Sequence, residues 1–233
     1  MPEQDMISFL SIIETGLAKA GRKRRGNLMQ DTIQWLGHDT FRISGTTKIY
    51  TDPYQLTTSD IADIIVITHD HYDHCSPEDI EKLRGPQTVV IATSDCAPKI
   101  PGTMKSIAPG DTLQLDGVSI TAVSAYNTNK QFHTQNHGWV GYIIKLDGKS
   151  IYLAGDTDFI PEMKQLGPID IALLPVSGTY VMTAEEAAQA ALIIRPKLAI
   201  PMHYGSIVGS RNDAERFAEL LKGKVEVLIL DRQ

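Results

Sequence analysis

Residues 61–77 read IADIIVITHDHYDHCSP, and the passage changes character at Thr68. Before Thr68 lies an apolar run rich in β-branched residues, the composition of a strand buried on both faces. After it come His69-Asp70-His71-Tyr72-Asp73-His74, three histidines within six residues. A strand that ends here delivers those side chains to the loop at its C-terminal edge, where α/β proteins commonly place their sites. His69 and His71 are two residues apart, so in extended chain they point the same way and two imidazoles can grip one cation. Asp73 and His74 begin the turn beyond and can face a second position beside the first. Imidazole and carboxylate form the ligand set of zinc, manganese or iron rather than of calcium or magnesium. A helical H-E-x-x-H site is excluded, because its histidines sit at i, i+4. A helix should follow the cluster: Ser76 is a good N-cap, Pro77 suits the first helical position, and Glu78 and Asp79 favour the positive end of the helix dipole.

Working outward, residues 32–36, 41–44 and 48–51 form short alternating runs with glycine-containing turns, which reads as an antiparallel meander ahead of the strand at 61–68. Residues 88–92 read as another buried strand, and 112–125, 139–146 and 149–154 as three more, the last two joined by Asp147-Gly148, a hairpin signal. Helix and strand then alternate: a short helix near 159–166, a strand at 170–174, a helix opened by Thr183-Ala184-Glu185-Glu186 with capping-box spacing, a strand at 197–201, a helix over 212–222 and a strand at 225–230. Meanders that each close with helix–strand alternation suggest an α/β fold, an αββα sandwich of two mixed β-sheets with helices on the outer faces.

The chain divides at about residue 30. Residues 4–20 could form an amphipathic helix on Ile7, Leu10, Ile13 and Leu17, followed by the basic run Arg22-Lys23-Arg24-Arg25. The expectation is an N-terminal helix and basic linker over 1–30 ahead of a catalytic domain over 31–233. A surface helix with a solvated linker is preferred there over an arm that contacts a partner subunit or an anionic surface. The net charge of −6 disfavours a protein that grips nucleic acid through a broad basic face. Two cysteines, Cys75 and Cys96, make no disulfide framework. Residues 1–5 are acidic where a signal peptide would be basic, and the apolar run at 6–13 is too short to span a bilayer, so a cytoplasmic location is expected.

His69-x-His71-x-Asp73-His74 resembles the signature of the metallo-β-lactamase superfamily. Further landmarks recur in order: Thr51-Asp52-Pro53 resembles its early aspartate, Leu153-Ala154-Gly155-Asp156-Thr157 the strand ending in a metal-bridging aspartate, and Pro201-Met202-His203-Tyr204 the segment with the last histidine ligand. Trp35-Leu36-Gly37-His38 is similar to the opening of the lactonase-like branch, which includes L-ascorbate-6-phosphate lactonase and N-acyl phosphatidylethanolamine phospholipase D. The resemblance covers about residues 31–230. It implies that His69 and His71 bind a first metal, that Asp73, His74 and His203 bind a second, and that Asp156 bridges the two. A carboxylate shared by two cations offsets their repulsion and fixes their separation. The competing reading of Asp156 is a turn or N-cap residue, and of His203 a core histidine satisfied by backbone.

The family's third histidine for the first metal has two candidates. His133 follows Phe132 in a loop that could fold back, and His137 precedes Gly138; His133 is the preferred one, with Asn127 or water filling the position if neither binds. Asp52 is a candidate acceptor for the second N–H of a ligand imidazole. His38 either lines the pocket or lies at the surface. Cys75 reads as a small buried side chain rather than a ligand. Tyr180, Tyr204 and Lys130 lie on loops near ligands and are more readily structural than catalytic.

By this resemblance the chain is a metal-dependent hydrolase with two divalent ions, Zn2+ first and Mn2+ or Fe as alternatives. A hydroxide bridging them would cleave an ester, lactone, amide or phosphodiester bond, with Asp73 as ligand and proton acceptor. The competing classes are an iron-dependent oxidoreductase on the same scaffold and a nuclease. The expected partner is a small-molecule substrate, with neither nucleic acid nor membrane; assembly into a homo-oligomer stays open.

Overall fold

A computed structural model describes residues 32–100 and 102–233, so the expected helix and linker over 1–30 lie outside the described residues. Strands β1 (Ile33–Gly37), β2 (Thr40–Ser44) and β3 (Lys48–Thr51) form the expected meander. β3 then pairs in parallel with β4 (Ile64–Ile67), which pairs in parallel with β5 (Val89–Ala92), and the two-residue β6 (Lys105–Ser106) closes the six-stranded sheet.

The second sheet has seven strands in the order β13-β12-β11-β10-β9-β8-β7. β7 (Thr112–Leu115), β8 (Val118–Ser124), β9 (Val140–Leu146) and β10 (Lys149–Leu153) are antiparallel neighbours, whereas β11 (Ile171–Pro175), β12 (Leu198–Met202) and β13 (Glu226–Val227) add in parallel. At the β9–β10 turn both Asp147 (φ 49°) and Gly148 (φ 72°) have positive φ, as a two-residue primed turn requires.

Three details depart from the sequence reading. Residues 112–125 are a hairpin rather than one strand, because Gly117 (φ 72°) turns the chain so that Leu115 pairs with Val118. The short helix near 159–166 is a 3₁₀ segment, Pro161–Gln165. The last strand is limited to Glu226–Val227. The edge strand β6, exposed at both residues, has no alternation to announce it.

Alternation along β4 explains the layering. Ile64 and Val66 join Phe41, Ile43 and Ile91 in a core shared with the second sheet, while Ile65 and Ile67 face the other way and pack with Ile80 and Leu83 of helix α1 (Pro77–Leu83). All four β4 side chains are buried, and each contributes about 1.5–3 kcal/mol of hydrophobic free energy. Helices α2 (Ala184–Ile194) and α3 (Arg211–Leu221) pack on each other; α2 lies against β11, and α3 against β12 and β13. Capping proceeds as the sequence requires: Ser76 Oγ accepts from Asp79 N (3.3 Å), and Thr183 and Glu186 cap each other at 3.1 and 2.8 Å. The result is a two-sheet sandwich with helices outside.

The sheets meet along the line where the histidine cluster emerges. Tyr142 donates its hydroxyl to Ile67 O (2.7 Å), and Val140 N donates to Thr68 O (3.2 Å). Gly155 allows a close approach there: its φ is +65°, and a Cβ would lie 3.1 Å from Thr68 Cγ2 at the end of β4 and 2.9 Å from Val140 O.

Candidate metal centre

His69, His71, Asp73 and His74 leave the end of β4 on a turn in which His74 N and Cys75 N both donate to His71 O, at 3.1 and 2.8 Å. Asp156 leaves the end of β10, His203 the end of β12, and His133 the long loop between β8 and β9. All converge at one end of the two sheets. The donor atoms of His69, His71 and His133 lie within 4.8 Å of one another, as do those of His38, Asp73, His74 and His203, and those of His69, His74 and Asp156.

Asp156 sits between these groups. Its Oδ2 is 3.1 Å from His133 Nε2 and 3.2 Å from His203 Nε2, and its Oδ1 is 3.5 Å from His74 Nε2. His133, rather than His137, therefore joins the cluster. His137 is exposed and stacks on Trp139 at 4.2 Å. Asp156 and His203 are both buried with their side chains in the cluster, and His203 is partnered by the side chains of Ser177 and Asp156.

Four of the five buried imidazoles are aimed by a partner on the far nitrogen, His38 being the exception. His69 Nδ1 meets Thr68 Oγ1 (3.0 Å), His74 Nδ1 meets Asp52 Oδ2 (2.9 Å), His133 Nδ1 meets Asn127 Oδ1 (3.2 Å), and His203 Nδ1 meets Ser177 Oγ (3.0 Å). This leaves the Nε2 atoms facing inward. Those of His69, His74 and His133, together with Asp156 Oδ1, are buried and without a hydrogen-bond partner. Buried polar atoms are nearly always satisfied, so convergent unsatisfied lone pairs fit cations as the missing partners. The donor chemistry, imidazoles with shared carboxylates, fits divalent transition metals.

Asp52 is more than an acceptor for His74. Its Oδ1 also takes the Thr68 backbone N–H (2.8 Å) and its Oδ2 the Thr68 hydroxyl (2.7 Å), tying the two ends of the motif together. Asp52 (φ 35°), His38 (φ 50°) and His203 (φ 59°) all lie in the left-handed region. Such conformations cost on the order of 1–3 kcal/mol and cluster at functional sites. His38 is buried, not at the surface, and its Nε2 lies 3.1 Å from Asp73 Oδ2.

The electrostatics divide the cluster. Burial opposes charge on His74, yet Asp156 and Asp52 hold its imidazole well above the usual histidine range, and Asp156 and Asp39 raise His203 despite its burial. Burial and neighbouring imidazoles push His69 and His71 down instead. Asp73, although desolvated, is held at about 2 by its His38 hydrogen bond and the nearby His74. Asp156, Asp52 and Asp39 thus favour positive charge on His74 and His203, whereas burial pushes His38 beside them down to about 4.

Several residues that matter here escaped the sequence reading. Trp139 walls the His69–His71–His133 side, with ring centroids 4.7, 4.7 and 5.4 Å away. Asp158 organises the His133 loop by accepting from Asn127 Nδ2 (3.1 Å), Thr128 N (2.8 Å) and the Lys130 ammonium. Lys130 is therefore committed to an ion pair. Tyr204 is buried against Trp35, and Tyr180 rests on Phe132. Asn127 aims His133 and is not a replacement for it. Asp39 is completely buried beside the cluster. It occupies the two-residue turn between β1 and β2, where strand alternation gives no signal of burial. Cys75 is buried as expected, with Cys96 in the same outer core cluster.

Residues 32–203 match the model of the beta-lactamase superfamily domain. The chain is 35% identical over 218 residues to a UPF0173 metal-dependent hydrolase of Pyrococcus abyssi, covering 85% of this chain and 95% of that protein. Among solved structures, one described as a metal-dependent hydrolase from Parabacteroides distasonis superposes with a TM-score of 0.78 at 36% identity, covering 86% of this chain and 93% of that one. The metallo hydrolase Igni18 of Ignicoccus hospitalis superposes with a TM-score of 0.72 at 26% identity, covering 86% and 94%. With its two-sheet architecture and the clustered histidines and aspartates, this chain belongs to the UPF0173 metal-dependent hydrolases of the metallo-β-lactamase superfamily.

Proposed function

We propose that the cluster holds two divalent cations and hydrolyses an ester, lactone, amide or phosphodiester bond of a small organic substrate. His69, His71 and His133 would hold the first ion, Asp73, His74 and His203 the second, and Asp156 both. The observation that carries this is the position of Asp156, whose two oxygens lie 3.1–3.5 Å from Nε2 atoms of both histidine groups. Zn2+ suits the imidazole-rich first group, with Mn2+ or Fe2+ as alternatives. Bound there, such ions supply Lewis acidity and make water a nucleophile near neutral pH.

The protein's own part is positioning and proton handling. Asp73 is partly exposed, with 14% of its side-chain surface accessible, so it can face both the centre and the substrate. Its carboxylate is the proton acceptor, and His38 Nε2 orients it across 3.1 Å. Tyr72 and Phe132, each next to a cluster histidine in sequence, are 64% and 51% exposed and give the mouth apolar edges. Those edges and the mildly acidic chain favour a small organic substrate over a nucleic acid.

The test is a panel of chromogenic carboxyl esters, lactones, amides, thioesters and phosphodiesters, assayed after reconstitution with Zn2+, Mn2+ or Fe2+. Turnover of at least one class is expected, with a loss of about a hundredfold or more in Asp73→Ala, on the scale of general base catalysis. Undiminished turnover in Asp73→Ala, or none by the metal-loaded protein on any class, would overturn the proposal.

A further inference from the structure

Asp39 has no place in the ligand set described above, yet its surroundings are those of a donor. The residue is 0% exposed, and neither carboxylate oxygen has a hydrogen-bond partner among the described residues. A carboxylate oxygen of Asp39 lies within 4.8 Å of the donor atoms of Asp156 and His203, and it forms a second such group with Asp52 and His74. The left-handed turn at His38 (φ 50°) precedes it, so two adjacent residues both enter donor clusters. A buried carboxylate without hydrogen bonds is among the costlier groups a core can hold, and it persists where a cation compensates it.

We propose that Asp39 is a donor to the second metal position, which then carries three carboxylates, from Asp39, Asp73 and Asp156, beside the imidazoles of His74 and His203. This rests on the reading of the cluster as a two-cation centre and makes its two positions chemically unequal. The first position, with three imidazoles and one shared carboxylate, suits Zn2+. The second is oxygen-rich, and carboxylate oxygens suit harder ions such as Mn2+. Zn2+ outranks Mn2+ at a given site by intrinsic affinity, so the expected effect is a smaller preference for Zn2+ at the second position than at the first.

The experiment is Mn2+ and Zn2+ titration of the metal-free wild-type chain and of Asp39→Asn. Stoichiometry is read by elemental analysis, Mn2+ occupancy by electron paramagnetic resonance and stability by thermal melting. A crystal structure with Mn2+ locates the donors. Asp39 oxygen is expected at about 2.0–2.4 Å from the second ion, the range of carboxylate–metal bonds. In Asp39→Asn, Mn2+ affinity at the second position should fall about tenfold or more, with the first position unchanged. The metal-free variant should melt at or above the wild-type temperature, because an uncompensated buried carboxyl group has been replaced, while gaining less from added metal. An Asp39 carboxylate out of coordination range with both ions bound, or wild-type Mn2+ affinity in Asp39→Asn, would overturn the proposal. Metal binding is read without turnover, so a chain that binds two ions through Asp39 yet hydrolyses nothing would sink the hydrolytic reading and leave this one standing.

Discussion

His74 donates from Nδ1 to Asp52 Oδ2 across 2.9 Å, and the same carboxylate receives the backbone N–H and hydroxyl of Thr68. Asp52 thus ties the strand end that precedes the motif to the histidine that closes it. Replacing Asp52 by Ala removes three bonds and leaves the Nδ1 of buried His74 without its partner. Losses of about 3–5 kcal/mol are typical when one partner of a buried charged pair is removed. Denaturant unfolding of Asp52→Ala should show a loss of that order, and Asp52→Asn, which keeps the volume, should weaken second-position metal affinity about 10–100-fold. An Asp52→Asn chain with unchanged metal affinity would show that His74 needs no carboxylate to orient it.

Asn127 sets the direction of His133. Its Oδ1 accepts from His133 N (3.0 Å) and Nδ1 (3.2 Å), while its Nδ2 donates to Asp158 and to Tyr180 O. Asn127→Ala should reduce metal affinity at the first position by about 10–100-fold. Asn127→Asp keeps the acceptor and should restore part of it. Equal Zn2+ isotherms for wild type and Asn127→Ala would refute this arrangement.

Metal removal should cost stability as well as activity. The inward Nε2 atoms of His69, His74 and His133 make no hydrogen bond within the protein, although those of His133 and His74 approach Asp156 at 3.1 and 3.5 Å, and bound cations would satisfy them. Saturating metal at 100 times its dissociation constant adds about 2.7 kcal/mol per site. Chelation should therefore lower the melting temperature, and readdition of Zn2+ or Mn2+ should restore it. A melting curve indifferent to chelator in protein shown to have lost its metal would contradict the reading.

Acid should loosen the segment beneath the motif through Asp79. Burial raises its pKa, but the Lys82 ammonium, the Ser76 hydroxyl and the N–H groups of Leu56 and Gln55 outweigh that and hold it below its ordinary value of 3.8. The folded value is depressed, so this contribution is fully present above the unfolded pKa and is lost as pH falls through the folded one. Asp79→Asn should cost about 1–3 kcal/mol at neutral pH, and the gap from wild type should close as pH drops below about 4. A gap that stays constant into strong acid would exclude the linkage.

Much of the molecule was legible in the amino-acid order because its causes are local. The run into Thr68 marked a doubly buried strand, Ser76 and Thr183 marked helix starts, and His69-x-His71-x-Asp73-His74 marked the metal loop. The 112–125 reading failed for a local reason too: Asp116-Gly117 carries the same turn signal as Asp147-Gly148, but the flanking β-prone residues masked it.

What only the tertiary structure decided is which distant side chains meet. His133 and His137 are four positions apart and the sequence only preferred the first, whereas Asn127 and Asp158 fold the loop so that His133 reaches Asp156. His38 meets Asp73 across 35 positions, and His203 meets Asp156 across 47. No periodicity encodes such distances; they follow from strand order, from left-handed turns at single residues and from two sheets closing on one core. Asp39 marks the boundary between the two kinds of information. The meander that holds its turn could be read from the sequence, but its carboxylate becomes a candidate donor only once β10 and β12 deliver Asp156 and His203 beside it.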